Sequence, residues 1–130
     1  MNRILLIAFV VLVQVGCNAS QEPARFPVRG TVLVDGQPLA EGLIYFKTIA
    51  TGAIDSAPIK DGKFEGQAEA GQRRVEIVSP KTVDNPNATP GMLDKEQIET
   101  IPARYNSDST LEEVVKADGA NEYQFDLKSK

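Results

Sequence analysis

The side chains in this 130-residue chain that could do chemistry are carboxylates, lysines, arginines, three tyrosines and one cysteine; histidine and tryptophan are absent. Without an imidazole the usual general base near neutral pH and the commonest metal ligand are missing. A Ser-His or Cys-His nucleophile is unavailable, and a thiolate zinc site is ruled out because Cys17 stands alone. Paired carboxylates remain, as a glycosidase would need. Glu112 and Glu113 are adjacent on a predicted strand, however, so they point to opposite faces and cannot flank one bond. Asp84, Asn85, Asn87 and Asp94 collect oxygen ligands of the kind Ca²⁺ takes, but they lack EF-hand spacing, and Asx residues are ordinary turn formers. The expectation is therefore no catalytic residue, no metal and no cofactor. Asp84, Asn85, Asn87, Asp94, Arg104 and Tyr105 form the candidate ligand or partner surface, with the hydrolase that uses loop carboxylates as the rival reading. Tyr105 also has a structural reading, a phenol packed beneath a crossover with its hydroxyl bonded to backbone.

Charge narrows the partners. The formal net charge is −4, and the 14 Lys and Arg residues are scattered without a basic stripe, so nucleic acid is not an expected partner. Eight Phe and Tyr in all are too few for a stacking platform. The 42% hydrophobic and 25% charged fractions are those of an ordinary globular protein, and the length allows one domain.

The elements that must position these residues begin after a leader. Residues 1–3 carry one positive charge, and residues 4–13 are an uninterrupted apolar run. That run is too short for a bilayer span of about 20 residues but suits the hydrophobic region of a signal peptide. It leads into Gln14-Val15-Gly16-Cys17, which resembles the lipobox of bacterial lipoproteins, departing from it at Gln14 where Leu is usual. The resemblance implies cleavage before Cys17, acylation of Cys17, and a location in the bacterial cell envelope, anchored to a membrane and facing periplasm or cell surface. The other reading of the same residues is an ordinary secretory signal cut near Ala19. Residues 1–16 thus read as a lipoprotein signal peptide, 17–27 as a flexible tether and 28–128 as the domain.

Within the domain the pattern is period 2. Residues 28–34 and 44–46 alternate apolar with polar around Asp35-Gly36-Gln37-Pro38, a strand, turn and strand. Further short strands are expected at 54–59, where Pro58 argues for an edge, and at 63–68, 73–79, 111–116 and 121–128. Asp61-Gly62 supplies the turn between the first two of these. Seven short strands without a long amphipathic helix predict an all-β, antiparallel sandwich. Residues 80–104 are too long for a plain connection and read as an irregular, functional loop, with a short helix over 92–100 that puts Leu93, Gln97 and Ile101 on one side. On the strand at 111–116, period 2 turns Glu113 inward, which predicts either exposure at a frayed end, a bulge, or pairing with Arg73.

Several of these segments, VRGTVLVDGQPLAEGLIYF, KDGKFEG, VEIVSP, IPARYNSDSTL and NEYQFDLK, together resemble the carboxypeptidase regulatory-like domains of small bacterial lipoproteins. That resemblance implies a seven-stranded Greek-key sandwich of transthyretin-like (prealbumin-like) fold. It also implies a non-catalytic binding or scaffolding module whose partner is an envelope protein or a glycan. The hydrolytic branch of transthyretin-like proteins relies on histidines and a terminal tyrosine-arginine-glycine-serine motif, both missing here. A third possibility is a purely structural envelope component that self-associates through a strand edge.

Overall fold

A computed structural model of the chain describes Gly16 and residues 22–130. The protein is all-β, with one 3-10 turn at Ala103–Tyr105. Its strands are β1 (Arg25–Val34), β2 (Gln37–Pro38), β3 (Glu41–Lys47), β4 (Ile54–Lys60), β5 (Lys63–Glu69), β6 (Gly71–Val78), β7 (Pro80–Asp84), β8 (Lys95–Glu99), β9 (Glu112–Val115) and β10 (Glu122–Leu127).

The main sheet runs β10-β1-β5-β4-β3-β6-β9, with β2 attached to β1. It curls so that its two halves face each other across the core, as in a sandwich. The bend lies at β4. This strand pairs with β3 over seven residues but with β5 only through Ile59↔Phe64 and Lys60↔Lys63. Residues 54–58 have no ladder with β5, although Ala57 stays packed against Gly66, and Pro58, which has no N–H to offer a ladder, sits in this stretch.

Alternation fills the interior as expected. Val28 and Val32 of β1, Ile44 and Phe46 of β3, Phe64 and Ala68 of β5, Val75 and Ile77 of β6, and Phe125 and Leu127 of β10 are all buried. Full burial of each large aliphatic side chain among them is worth about 1.5–3 kcal/mol relative to exposure. Four aromatic side chains form a closed circuit: Phe46 lies 6.2 Å from Phe64 and 5.9 Å from Tyr123, and Phe125 lies 6.2 Å from both Phe64 and Tyr123.

Five features differ from the sequence expectation. First, β1 and β3 are not hairpin partners. Asp35 and Gly36, both at positive φ, turn β1 into the short β2, and β3 then crosses to the other half of the sheet. The second Asp-Gly turn, Asp61-Gly62, packs on this corner: Val32 N donates to Gly62 O at 2.8 Å and Gly62 N donates to Leu39 O at 2.7 Å. Second, the sheet is not wholly antiparallel, because β10 lies parallel to β1 from Arg29↔Glu122 to Val34↔Leu127. Third, β1 begins at Arg25, so residues 25–27 belong to the sheet, opposite Glu69 to Gln67, and not to a tether. Fourth, residues 80–104 are not an irregular loop. Pro80–Asp84 and Lys95–Glu99 pair as an antiparallel ribbon of β7 and β8, joined through residues 85–94, which brings the described strands to ten. Fifth, there is no helix over 92–100. Residues 95–99 favour a helix locally, but their backbone pairs with β7, and Ile101 is buried while Leu93 is exposed, so the two share no side.

Gly30 is required by close approach and not by its dihedrals. A Cβ there would lie 2.0 Å from Tyr123 O and 2.9 Å from the Phe64 ring. Gly30→Ala must push β10 off β1 or displace the ring, and it is expected to cost at least about 1–3 kcal/mol, the usual range for overpacking. Urea denaturation of the two proteins measures this; an unchanged midpoint would contradict the packing described.

Candidate binding surface

Strand directions place the ribbon. β1 runs from Arg25, opposite Glu69, to Val34, and β6 runs the same way from Gly71 to Val78. The ribbon of β7 and β8 therefore leaves the end of the sandwich opposite to that at which the chain enters β1.

The base of this arm is fixed by side chains that replace missing backbone partners. Glu99 accepts from Ser79 N at 2.7 Å and Ile101 N at 2.9 Å, Thr100 Oγ1 donates to Ser79 O at 2.7 Å, and Ser79 Oγ donates to Glu41 O at 2.6 Å. Farther along, Asn106 Nδ2 lies within hydrogen-bonding distance of three carbonyls, those of Ile77, Ile101 and Pro102, at 3.1–3.3 Å. Beside the base is a cleft of about 450 Å³ whose apolar wall includes Val34, Pro38, Leu39, Pro80 and Ile101.

The six expected surface residues separate into two groups. Asp84, Asn85, Asn87 and Asp94 lie at the ribbon tip, where their roles are largely conformational. The Asp84 carboxylate pairs with Lys95 across the ribbon. Asn85 N donates to Asp94 O at 2.8 Å, and Asn87 N donates to Asn85 Oδ1 at 2.9 Å, an Asx turn. Among the described residues no three acidic or cysteine side chains converge as a metal site would require.

Arg104 and Tyr105 belong instead to the 3-10 turn and hold the segment after β10. Arg104 donates to Lys128 O and stacks its guanidinium 4.8 Å from the centre of the Tyr105 ring. The Tyr105 hydroxyl accepts from Lys128 N at 3.0 Å. Arg104, then the Lys128 N–H, draws the Tyr105 pKa below its ordinary value. Asp35 joins this cluster, a role beyond turn geometry: its carboxylate accepts from Ser129 Oγ and, at 3.1 Å, from Ser129 N.

Glu113 faces Arg73 directly in the β6–β9 register, but they form no ion pair. Arg73 is turned away, donating to Glu69 O at 3.0 Å, to Gln72 O at 2.8 Å and to Ala70 O, with the Glu69 carboxylate 3.7 Å distant. Glu69 and Asp55 also hold the exposed Arg25, so the entry of β1 is tied to a cluster of alternating charges whose inner members, Glu69 and Arg73, are buried.

The residues that sequence reasoning missed are the exposed apolar ones on the arm. Met92 is 70% exposed, Leu93 85% and Ile98 44%. Of the three, only Leu93 falls on the expected helix face with Gln97 and Ile101; the adjacent Met92-Leu93 pair after Gly91 is the sequence signal for the exposed tip. Cys17 lies outside the described residues, and among those described no helix is long and apolar enough to cross a membrane. Comparison with protein families, with curated proteins and with solved structures yields no match for the chain.

The hydroxyl of Ser129, then its N–H, holds the Asp35 pKa below the ordinary carboxylate value. A depressed carboxylate contributes stability that is complete above its unfolded pKa and is lost as pH falls through the folded one. Asp35→Asn should therefore destabilise the protein at pH 7, and the difference from the unsubstituted chain should shrink once pH drops below about 4. Denaturation midpoints at the two pH values test this; an equal gap at both would remove Asp35 from the tail contact.

Proposed function

We propose that this chain is a non-enzymatic module of the bacterial cell envelope. It is held to a membrane through acylated Cys17, and it displays a carboxypeptidase regulatory-like, transthyretin-like sandwich as a binding or scaffolding unit. The observation that carries this reading is the β7–β8 arm. All five residues of β8 are exposed, and the arm bears Met92, Leu93 and Ile98 in solvent. A two-stranded ribbon standing free is marginally stable in water, and exposed apolar groups gathered on one element mark interaction sites. The arm also sits opposite the entry of β1, so on a chain tethered through residues 17–24 it points away from the membrane. An envelope protein or glycan is the partner this geometry suits.

The rival hydrolase has less support. Of the carboxylates in residues 80–104, Asp84 is engaged by Lys95 and Glu99 by two backbone N–H groups. Both hold the arm in shape.

Two measurements test the proposal separately. Cys17→Ser should move the protein from the detergent-extracted membrane fraction to the soluble fraction; identical fractionation of the two forms would refute acylation at Cys17. A photo-crosslinking residue at Leu93 should trap a discrete adduct in cells, while the same residue at Glu65, on the flank of the sandwich, should not. Equal or absent trapping at both positions would remove the arm as the binding element.

A further inference from the structure

β9 and β10 are consecutive in the chain and run in opposite directions, since β9 is antiparallel to β6 and β10 parallel to β1. They have the connectivity of a hairpin, yet no ladder joins them among the described residues. Each is paired on one flank, β9 to β6 and β10 to β1, and each leaves the other flank facing a seam.

Side chains stand where the rungs of that hairpin would be. At the closed end Lys116 N donates to Asn121 Oδ1 at 2.8 Å, and Asn121 Nδ2 donates to Lys116 O at 3.0 Å and to Pro27 O at 3.1 Å. One step along, the Tyr123 hydroxyl donates to Val114 O at 2.8 Å. A carbonyl of the free β9 edge, the group a neighbouring strand would engage, is thus met by a phenol. Above the seam lies a cleft of about 430 Å³, lined by Gln72, Glu112, Glu113, Val114, Asn121 and Tyr123 among others.

The rim of the cleft is acidic. Glu112 receives a hydrogen bond from Gln72 at 2.6 Å, Glu122 is paired with Arg29, and Lys116 is the cation at the closed end. Glu113 is half-buried against Tyr123, and burial followed by its carboxylate pushes the Tyr123 pKa up. Two readings of a free edge are open, a second copy of this chain or another segment. A second copy pairing through the same edge would bring its own Glu112 and Glu113 to the seam, and like charges brought together across a strand pair are destabilising.

We propose that the seam between β9 and β10 is a strand-addition site for an extended peptide segment bearing lysine or arginine. The incoming backbone pairs with the free edge of β9 and displaces the Tyr123 hydroxyl from Val114 O. Its cationic side chains lie on the exposed face of β9, against Glu112, and the intervening residues lie on the face of Glu113 and Tyr123. Main-chain rungs supply affinity in such complexes, and the flanking side chains select the sequence. The site is separate from the arm and holds whether or not Cys17 is acylated.

The test uses the full chain in detergent and three labelled peptides: alternating Lys-Val, alternating Glu-Val, and a Lys-Val repeat of equal charge N-methylated on every backbone nitrogen, which has no N–H with which to add a strand. Alternating Lys-Val should bind, with amide exchange slowed at residues 112–115; the other two should not. Glu112→Gln should weaken binding by about threefold, with the circular dichroism spectrum unchanged. Equal binding of the N-methylated peptide would show charge attraction only and overturn the proposal, as would protection confined to the β7–β8 arm. Concentration-dependent protection of residues 112–115 without peptide would overturn it in favour of self-pairing.

Discussion

The parallel ladder between β1 and β10 is the constraint from which the rest of the architecture follows. Six residues of β10 lie beside β1, so the last described strand is placed next to the first while its predecessor, β9, remains bound to β6 on the other half of the sheet. The strands of one hairpin are thereby pulled to opposite ends of the strand order. Gly30 must lack a side chain for β10 to approach. Tyr123 must be long enough to pack its ring on Phe46 and still reach Val114 O. The seam is what that displacement leaves behind.

Much of the remaining order comes from polar side chains standing in for backbone. Asn121 bridges the β9–β10 connection to β1, and Asn106 gathers three carbonyls where the chain turns from the arm to β9. Ser109 Oγ donates to Val75 O and accepts from Leu111 N at 3.2 Å, carrying the edge of β6 past the end of its partner strand. Ser79, Ser109 and Asn121 are all buried, so each would leave unpaired groups in a dry environment if truncated, a loss of about 1–3 kcal/mol apiece. The irregular segments of this protein are consequently as determined as its strands.

The sequence revealed the strands better than their neighbours. Alternation located the inward faces of β1, β3, β5, β6 and β10, because one-sided burial forces a period of two. Pairing was less legible. Asp35-Gly36 is a hairpin turn in type, but it closes only the two-residue β2, and nothing local states that β3 departs for the other half. The parallel β1–β10 ladder joins residues about ninety positions apart and leaves no local trace. The arm was hidden because Lys95–Glu99 has helical composition and is overridden by pairing with Pro80–Asp84. Of the candidate surface, Asp84, Asn85, Asn87 and Asp94 do cluster at one tip, whereas Arg104 and Tyr105, in the 3-10 turn beyond the arm's base, face the segment after β10. In the sequence only Glu113 points to the seam: its inward phase is legible and Arg73 is its neighbour across the register, although Arg73 is turned toward Glu69.

β1 also determines how the protein would bear a load. It is ten residues long, begins where the chain enters the domain, and is flanked by β5 on one side and β10 on the other. A pull on the preceding chain acts along the axis of this strand, so the rungs of both ladders are sheared together and none can be opened in turn. The Arg25 guanidinium, gripped by Asp55 with Glu69 nearby, adds a lock at the point where the force arrives. The same strand that closes the fold is thus its tensile member.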